Sequence, residues 1–224
     1  MTKHFGALTV ACGFLVAASA AQAYPSVPAP LEGRTITGAR VDAYDPSAVM
    51  EYDPNLNLTW LRDWNMNGKQ YWWTQMAWVQ TLHVGAFTNW SLPTALNQDG
   101  GGPCLGYDCT GNPMGYVYYV ELGNLAGGPL SNTGPFHMAS FEYWTSTEYP
   151  PIPDWPGQAW EFLTFNGATD FWPQYYELYA AAVRPGDVAA VVPEPETWAM
   201  LLAGVSLLAA TRHGRLRQRV ARRS

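Results

Sequence analysis

Charge is scarce in this sequence. Charged side chains make up 13% of its 224 residues, whereas aromatic ones make up 14%. That is about half the usual charged share, and the pairing of few charges with many rings excludes an acidic disordered chain. Basic groups are the scarcest. Of the 12 Lys and Arg, Lys3 and six arginines of the last stretch lie at the ends. Residues 24–192 keep five, Arg34, Arg40, Arg62, Lys69 and Arg184, against sixteen carboxylates, a net of −11. Polyanion affinity needs clustered Lys and Arg on the folded part, so a nucleic-acid partner is excluded. Catalytic patterns are missing too. There is no G-x-S-x-G, no H-E-x-x-H and no Cys with a plausible His partner, so the chain reads as a non-enzyme. Glu142 and Glu148 are the nearest thing to paired acids, with nothing to fix their separation. No metal or cofactor is expected. His83 and His137 stand apart, and neither Asp99 with Asp108 nor the alternating Asp63, Asn65 and Asn67 matches a calcium loop; these read as turn residues.

Both ends carry membrane signals. Lys3 and His4 precede an apolar run over 5–18, and Ala21-Gln22-Ala23 is an A-x-A cleavage pattern. Residues 1–23 therefore read as a secretory signal peptide, its apolar core too short to span comfortably. At the other end, 197–211 is uncharged. As a helix it would be about 22 Å long, against a hydrocarbon core of about 30 Å, a marginal span that snorkelling and thinning can accommodate. Arg212, Arg215, Arg217, Arg219, Arg222 and Arg223 follow it. Such a cluster stays cytoplasmic, which places the preceding body outside, where the N-terminal signal also sends it.

Pro193-Glu194-Pro195 sits directly before that span. Each proline holds its predecessor extended, so the tripeptide is exposed and non-helical. The succession PEP, Glu, Thr, Trp, an apolar run and an Arg-rich tail (193–219) closely resembles the PEP-CTERM sorting signal of Gram-negative bacteria. The resemblance implies recognition by an exosortase, a membrane transpeptidase, with cleavage near Pro193–Pro195. It also implies a membrane-anchored precursor, transfer to the cell surface or matrix, and an association with exopolysaccharide and biofilm.

Residues 24–44 are Pro-rich and then polar, a lead-in with one short strand. Residues 45–187 form the body. Turn formers recur along it, among them Asp53-Pro54-Asn55, Asn67-Gly68 and Asn166-Gly167. Trp72, Met76, Val79 and Leu82 mark one face of a helix over 71–84. Tyr116, Tyr119, Val120 and Leu125 mark a less regular one over 114–125. Residues 141–147, the stretch through Trp160 and Phe162 into the Asn166-Gly167 turn, and 179–183 read as strands. Two helices with short strands predict an α+β domain with long loops.

Six segments resemble the successive motifs of the DUF1566 family, found at the C-terminus of the Legionella collagen-like adhesin. They are DPNLNLTWLRDWN (53–65), FTNWSLPTAL (87–96), YVYYVELGNL (116–125), EYWTSTEY (142–149), QAWEFLTFNG (158–167) and YAAAVRPGD (179–187). The resemblance implies a C-type-lectin-like fold and, from relatives, glycan binding and adhesion. Ser91 stands where the family usually carries Arg.

The rings divide into two groups. Trp60, Trp90 and Trp144 sit inside those motifs and read as core. Trp155, Trp172, Tyr175 and Tyr176 sit in Pro-rich or polar stretches and are the candidate ligand surface. Arg184 reads as a carboxylate's partner. Cys12 leaves with the signal, so Cys104 and Cys109 are expected to pair in an exported loop. The expected function is a surface-sorted module that binds exopolysaccharide or another glycan. A structural matrix protein without sugar recognition is the alternative, and a secreted hydrolase is the weakest reading.

Overall fold

A computed structural model describes residues 28–151, 153 and 157–189. The signal peptide (1–23), Trp155, the Pro193-Glu194-Pro195 tripeptide and the 197–211 span lie outside these residues. Among them no helix is long and apolar enough to cross a membrane.

The architecture is α+β. The strands are β1 (Glu32–Arg34), β2 (Arg40–Val41), β3 (Met50–Asp53), β4 (Leu58–Leu61), β5 (Glu142–Glu148), β6 (Gln158–Leu163), β7 (Thr169–Pro173) and β8 (Val183–Pro185). They make two antiparallel sheets, in the orders β2-β1-β3-β4-β8 and β5-β6-β7. The lead-in thus supplies two strands rather than one, and both belong to the larger sheet. Arg34 anchors them. Its fully buried guanidinium takes Asp187 at 2.8 Å and Glu32 at 2.6 Å. Burial alone would lower its pKa, but those two acids outweigh that and raise it.

The β3–β4 turn follows from its sequence. Asp53 Oδ1 accepts from the Asn55 and Leu56 amides, and Asn57 takes the left-handed conformation (φ 51°) that asparagine tolerates. The β6–β7 hairpin turns through Asn166-Gly167, with Gly167 at φ 86°.

Helix α1 (Trp72–Thr81) buries Trp72, Gln75 and Val79. It stops before Val84 because Leu82 is already extended. A second helical segment starts as α2 (Pro113–Gly115), N-capped by Asn112, whose Oδ1 accepts from the Gly115 amide. It then widens into a π-helix, Tyr116–Glu121, in which the Leu122 amide bonds the Val117 carbonyl, five residues back. This shifts its buried face. Met114, Val117, Tyr118 and Leu122 face inward, while Val120 and Leu125, expected there, are exposed. The expectation assumed the α-helical period, which a π-helix does not keep.

Two apolar cores flank one extended layer. Alternation along a strand sends neighbouring side chains to opposite faces. Leu61 and Trp144 enter one core, with Trp72, Val79, Trp90 and Leu92, whereas Trp60 and Tyr143 enter the other, with Trp64, Val117, Tyr118 and Phe162. Residues 178–183 lie between the cores: Leu178, Ala180 and Ala182 face one, Ala181 and Val183 the other. This segment also joins the two sheets. The Tyr179 carbonyl accepts from the Trp144 amide of β5, and Val183 pairs with Trp60 of β4. The expected strand over 179–183 is therefore a bridge, and the regular strand β8 begins only at Val183.

Candidate functional site

Three of the family-like motifs meet in this layer. The Ser91 amide bonds the Val183 carbonyl at 2.8 Å, and the Ser146 amide bonds the Pro93 carbonyl at 2.9 Å. Thr94 and Thr147 share a hydroxyl contact at 3.0 Å. Trp60, Trp90 and Trp144 are buried here. The W-S-L-P-T, Y-W-T-S-T and A-V-R-P segments thus hold each other and form framework. Ser91 contributes a backbone bridge.

The exposed rings lie elsewhere. Trp172 is 40% exposed, Tyr175 60% and Tyr176 44%. Trp172 sits on β7 rather than in a loop, and Tyr175 and Tyr176 follow in the next turn. Their rings touch in series, Trp172 to Tyr176 at 5.4 Å between centroids and Tyr176 to Tyr175 at 5.2 Å. Trp155, the fourth expected member, is outside the described residues.

Two further rings join them. The Trp72 amide donates to the Gln174 carbonyl at 3.0 Å, and Gln70 and Leu178 exchange backbone hydrogen bonds. These bonds lay 70–73 alongside 174–178. Tyr71 (39% exposed) and Trp73 (49%) are brought to the same neighbourhood, with rings 5.2 Å apart. Sequence reasoning missed this pair, although the signal was there. On a helix with Trp72 turned inward, the next residue lies about 100° round and off the apolar face. Gln174 fixes the turn: its amide bonds the Gly157 carbonyl at 2.9 Å, and its Nε2 the Gln158 carbonyl at 3.2 Å. The result is five solvent-facing rings on two mutually bonded segments. Neither segment contains a Lys or Arg, and Glu177 is exposed beside Tyr176.

Cys104 and Cys109 form a disulfide, with Cα atoms 5.5 Å apart. Their loop is pinned through Gly106, which exchanges backbone hydrogen bonds with Thr169 at the start of β7. Asp99 Oδ1 caps the Gly101 amide, and Asp63 Oδ1 the Asn65 amide, the bonds of turn residues. Among the described residues no group of three His, Cys, Asp or Glu could hold a metal ion.

Arg184 departs from expectation. It is half-buried and makes no ion pair among the described residues; its guanidinium lies over the Phe87 ring at 5.4 Å. The nearby acid Asp187 is carried by the Gly186 turn (φ 73°) to Arg34 instead. Glu142 and Glu148 occupy the two ends of β5, six residues and so about 20 Å apart.

Buried acids are the other unusual feature. Glu51 lies 3.7 Å from Arg62 but has no hydrogen-bond donor among the described residues. Arg62 directs its Nε to the Pro135 carbonyl and its Nη1 to the Asp45 and Ala48 carbonyls. Burial therefore wins over the ion pair, and Glu51 is pushed up to about 8. Glu161 is pushed up to about 8 by burial, then by the charges of Glu142 and Asp170. Glu121 is raised by burial and then by Asp53. Counted as carboxylates, Asp53 Oδ2 and Glu121 Oε2 would have no donor. A proton kept on Glu121 and donated to Asp53 satisfies both.

Residues 191–218 match the PEP-CTERM protein-sorting motif. No curated protein and no solved structure matches the chain. The motif contains Pro193, Glu194 and Pro195, and it implies an exported, membrane-anchored precursor, processed by exosortase and sorted to the cell surface.

Proposed function

We propose that the body of this surface-sorted chain is a non-catalytic glycan-binding module that holds exopolysaccharide in the matrix around the cell. In this reading the body is a DUF1566-type, C-type-lectin-like domain. The mutual bonding of Trp90–Thr94, Tyr143–Thr147 and Ala182–Pro185 into one framework supports it. The observation that carries the function is the ring platform of Tyr71, Trp73, Trp172, Tyr175 and Tyr176. Rings this exposed cost apolar hydration, and clustered ones mark an interaction surface. A sugar's C–H face packs on such rings, and two exposed ring sets on neighbouring segments suit a polymer better than a chain end. The local acid and the body's net charge of −11 favour neutral or amino-bearing glycans over acidic ones.

The test is co-sedimentation of the purified full chain with the strain's own polysaccharide and a panel of neutral, amino and acidic glycans. Trp172→Ala and Tyr176→Ala should each weaken binding at least tenfold while thermal melting stays unchanged. If the folded protein binds no carbohydrate, the reading fails. Concentration-dependent self-association that Trp172→Ala weakens, with glycans inert, would establish the structural matrix alternative instead.

A further inference from the structure

The end of the body that leads to the sorting motif has a surface of its own. The described fold runs to Ala189, and the matched motif starts at residue 191. Val188 is buried with Trp90 and Leu92, and the Ala189 amide donates to Asp187 Oδ1 at 2.8 Å. Two turns flank this exit. The 35–39 turn closes through the Thr35 amide on the Ala39 carbonyl at 3.0 Å, and the 84–87 turn through two backbone bonds between Val84 and Phe87, at 3.0 and 3.1 Å. Gly38 packs against the Val188 carbonyl and the Phe87 ring, and Gly85 against the Ile36 carbonyl, so the two turns and the exit form one continuous face.

Charge on this face runs against the rest of the body. Three of the body's five cations lie here. Arg34 and Arg40 face each other across β1 and β2 at the base of the 35–39 turn, and Arg184 lies over Phe87. Neither turn contains a carboxylate. Asp187 and Glu32 are both held by the buried Arg34. Glu32 and Asp42 also sit two residues further from the turn, about 7 Å along the strands. The Arg40 side chain is 69% exposed, and its contact with Asp187 is a long one of 3.5 Å. Ile36, at the tip of the turn, is 54% exposed. A body of net charge −11 thus ends in an exposed apolar tip with cations behind it.

Tether length decides which face meets the bilayer. Residues 190–196 separate Ala189 from the uncharged span 197–211, and fully extended they reach about 25 Å. A globular body of about 160 residues is about 40 Å across, so the exit end cannot turn away while the chain is anchored. We propose that in the anchored precursor the 35–39 and 84–87 turns rest on an anionic phospholipid surface. Ile36 enters the head-group region, and Arg40 and Arg184 face the phosphates. The acidic remainder is repelled by the same surface, so charge and tether select one orientation. The ring platform stands off the bilayer. Tyr71 and Trp73 flank the start of α1, whereas the 84–87 turn follows its other end, about 15 Å away. The contact requires no sugar and does not depend on the platform.

The experiment uses the exported chain, purified with its C-terminal span and reconstituted into vesicles of phosphatidylcholine alone or mixed with phosphatidylglycerol. An environment-sensitive dye is attached at Ile36→Cys, or at Tyr175→Cys on the platform; Cys104 and Cys109 stay in their disulfide. With phosphatidylglycerol present, the dye at position 36 should shift to the blue and lose roughly half of its quenching by aqueous acrylamide, while the dye at position 175 keeps its aqueous signal. Arg40→Glu should return the dye at position 36 toward the aqueous signal, and high salt should do the same. Arg40 is exposed and its one ion pair is long, so this variant should melt like its parent. The proposal is overturned if the dye at position 36 stays aqueous, if both dyes shift alike, or if neither phosphatidylglycerol nor Arg40→Glu changes the signal. A dye at position 36 that is shielded only after exosortase is added would overturn the lipid contact and assign the two turns to that enzyme.

Discussion

Single side chains hold distant segments of this domain in place. Tyr143 is fully buried, yet its hydroxyl donates to Asn65 Oδ1 at 2.6 Å and accepts from the Ala139 amide at 2.7 Å. Its ring stacks on Tyr179 at 5.5 Å. Burial pushes its pKa far above the usual phenol value, so it acts as a neutral hydrogen-bonding strut. Tyr143→Phe keeps the ring and removes both short bonds, leaving the Ala139 amide and Asn65 Oδ1 with only their longer mutual bond of 3.3 Å. The expected cost is about 1–3 kcal/mol, a fall of about 2–10 °C in Tm for a chain of this size. A melting curve within about a degree of wild type would show that water replaces the hydroxyl at no cost. Tyr143 also marks a limit of sequence reading. That its motif was framework was legible; that its hydroxyl reaches Asn65, 78 residues away, was not.

At the scale of elements, legibility followed periodicity. Helix α1 and the β6–β7 hairpin were readable because each keeps one regular period and ends in a recognisable turn. The strands β1, β2 and β3 were not read as sheet partners. They are two to four residues long, and a strand that short shows no alternation. The ring platform was half legible. Trp172, Tyr175 and Tyr176 stood out locally, whereas Tyr71 and Trp73 join them through backbone bonds between segments a hundred residues apart. The π-helix was misread for want of its period, and its packing gives a prediction. A Cβ on Gly115 would press into the Cys109 carbonyl, a backbone atom that cannot step aside. Gly115→Ala should therefore cost about 1–3 kcal/mol and lower Tm by about 2–10 °C. Gly102→Ala, in open space within the same region, should stay within about 0.5 kcal/mol. Equal melting of the two variants would mean the π-helix shifts to make room.

At the scale of the whole molecule, Glu51, Glu121 and Glu161 decide how stability responds to pH. All three are pushed up to about 8, chiefly by burial, against an ordinary 4.5. The folded chain then holds protons that the unfolded chain releases. The stability from these groups is complete below about pH 4.5, declines as pH rises, and is gone above about 8. Asp187 works the other way. Hydrogen bonds and the charge of Arg34 overcome its burial and lower its pKa, so its contribution is lost only in acid below its ordinary 3.8. Between pH 5 and 8 the three glutamic acids therefore dominate, and the urea midpoint should fall steadily across that window. Each group contributes on the order of 1 kcal/mol or more, since one unit of pKa displacement corresponds to about 1.4 kcal/mol. Glu121→Gln should flatten the slope, because the amide keeps a donor for Asp53 and cannot ionise. Glu161→Gln should flatten it further and independently, since the two acids answer to different charged neighbours, Asp53 for Glu121 and Glu142 with Asp170 for Glu161. A midpoint that rises from pH 5 to 8 would mean that these carboxyls ionise in place, with water or a rearranged Arg62 reaching them.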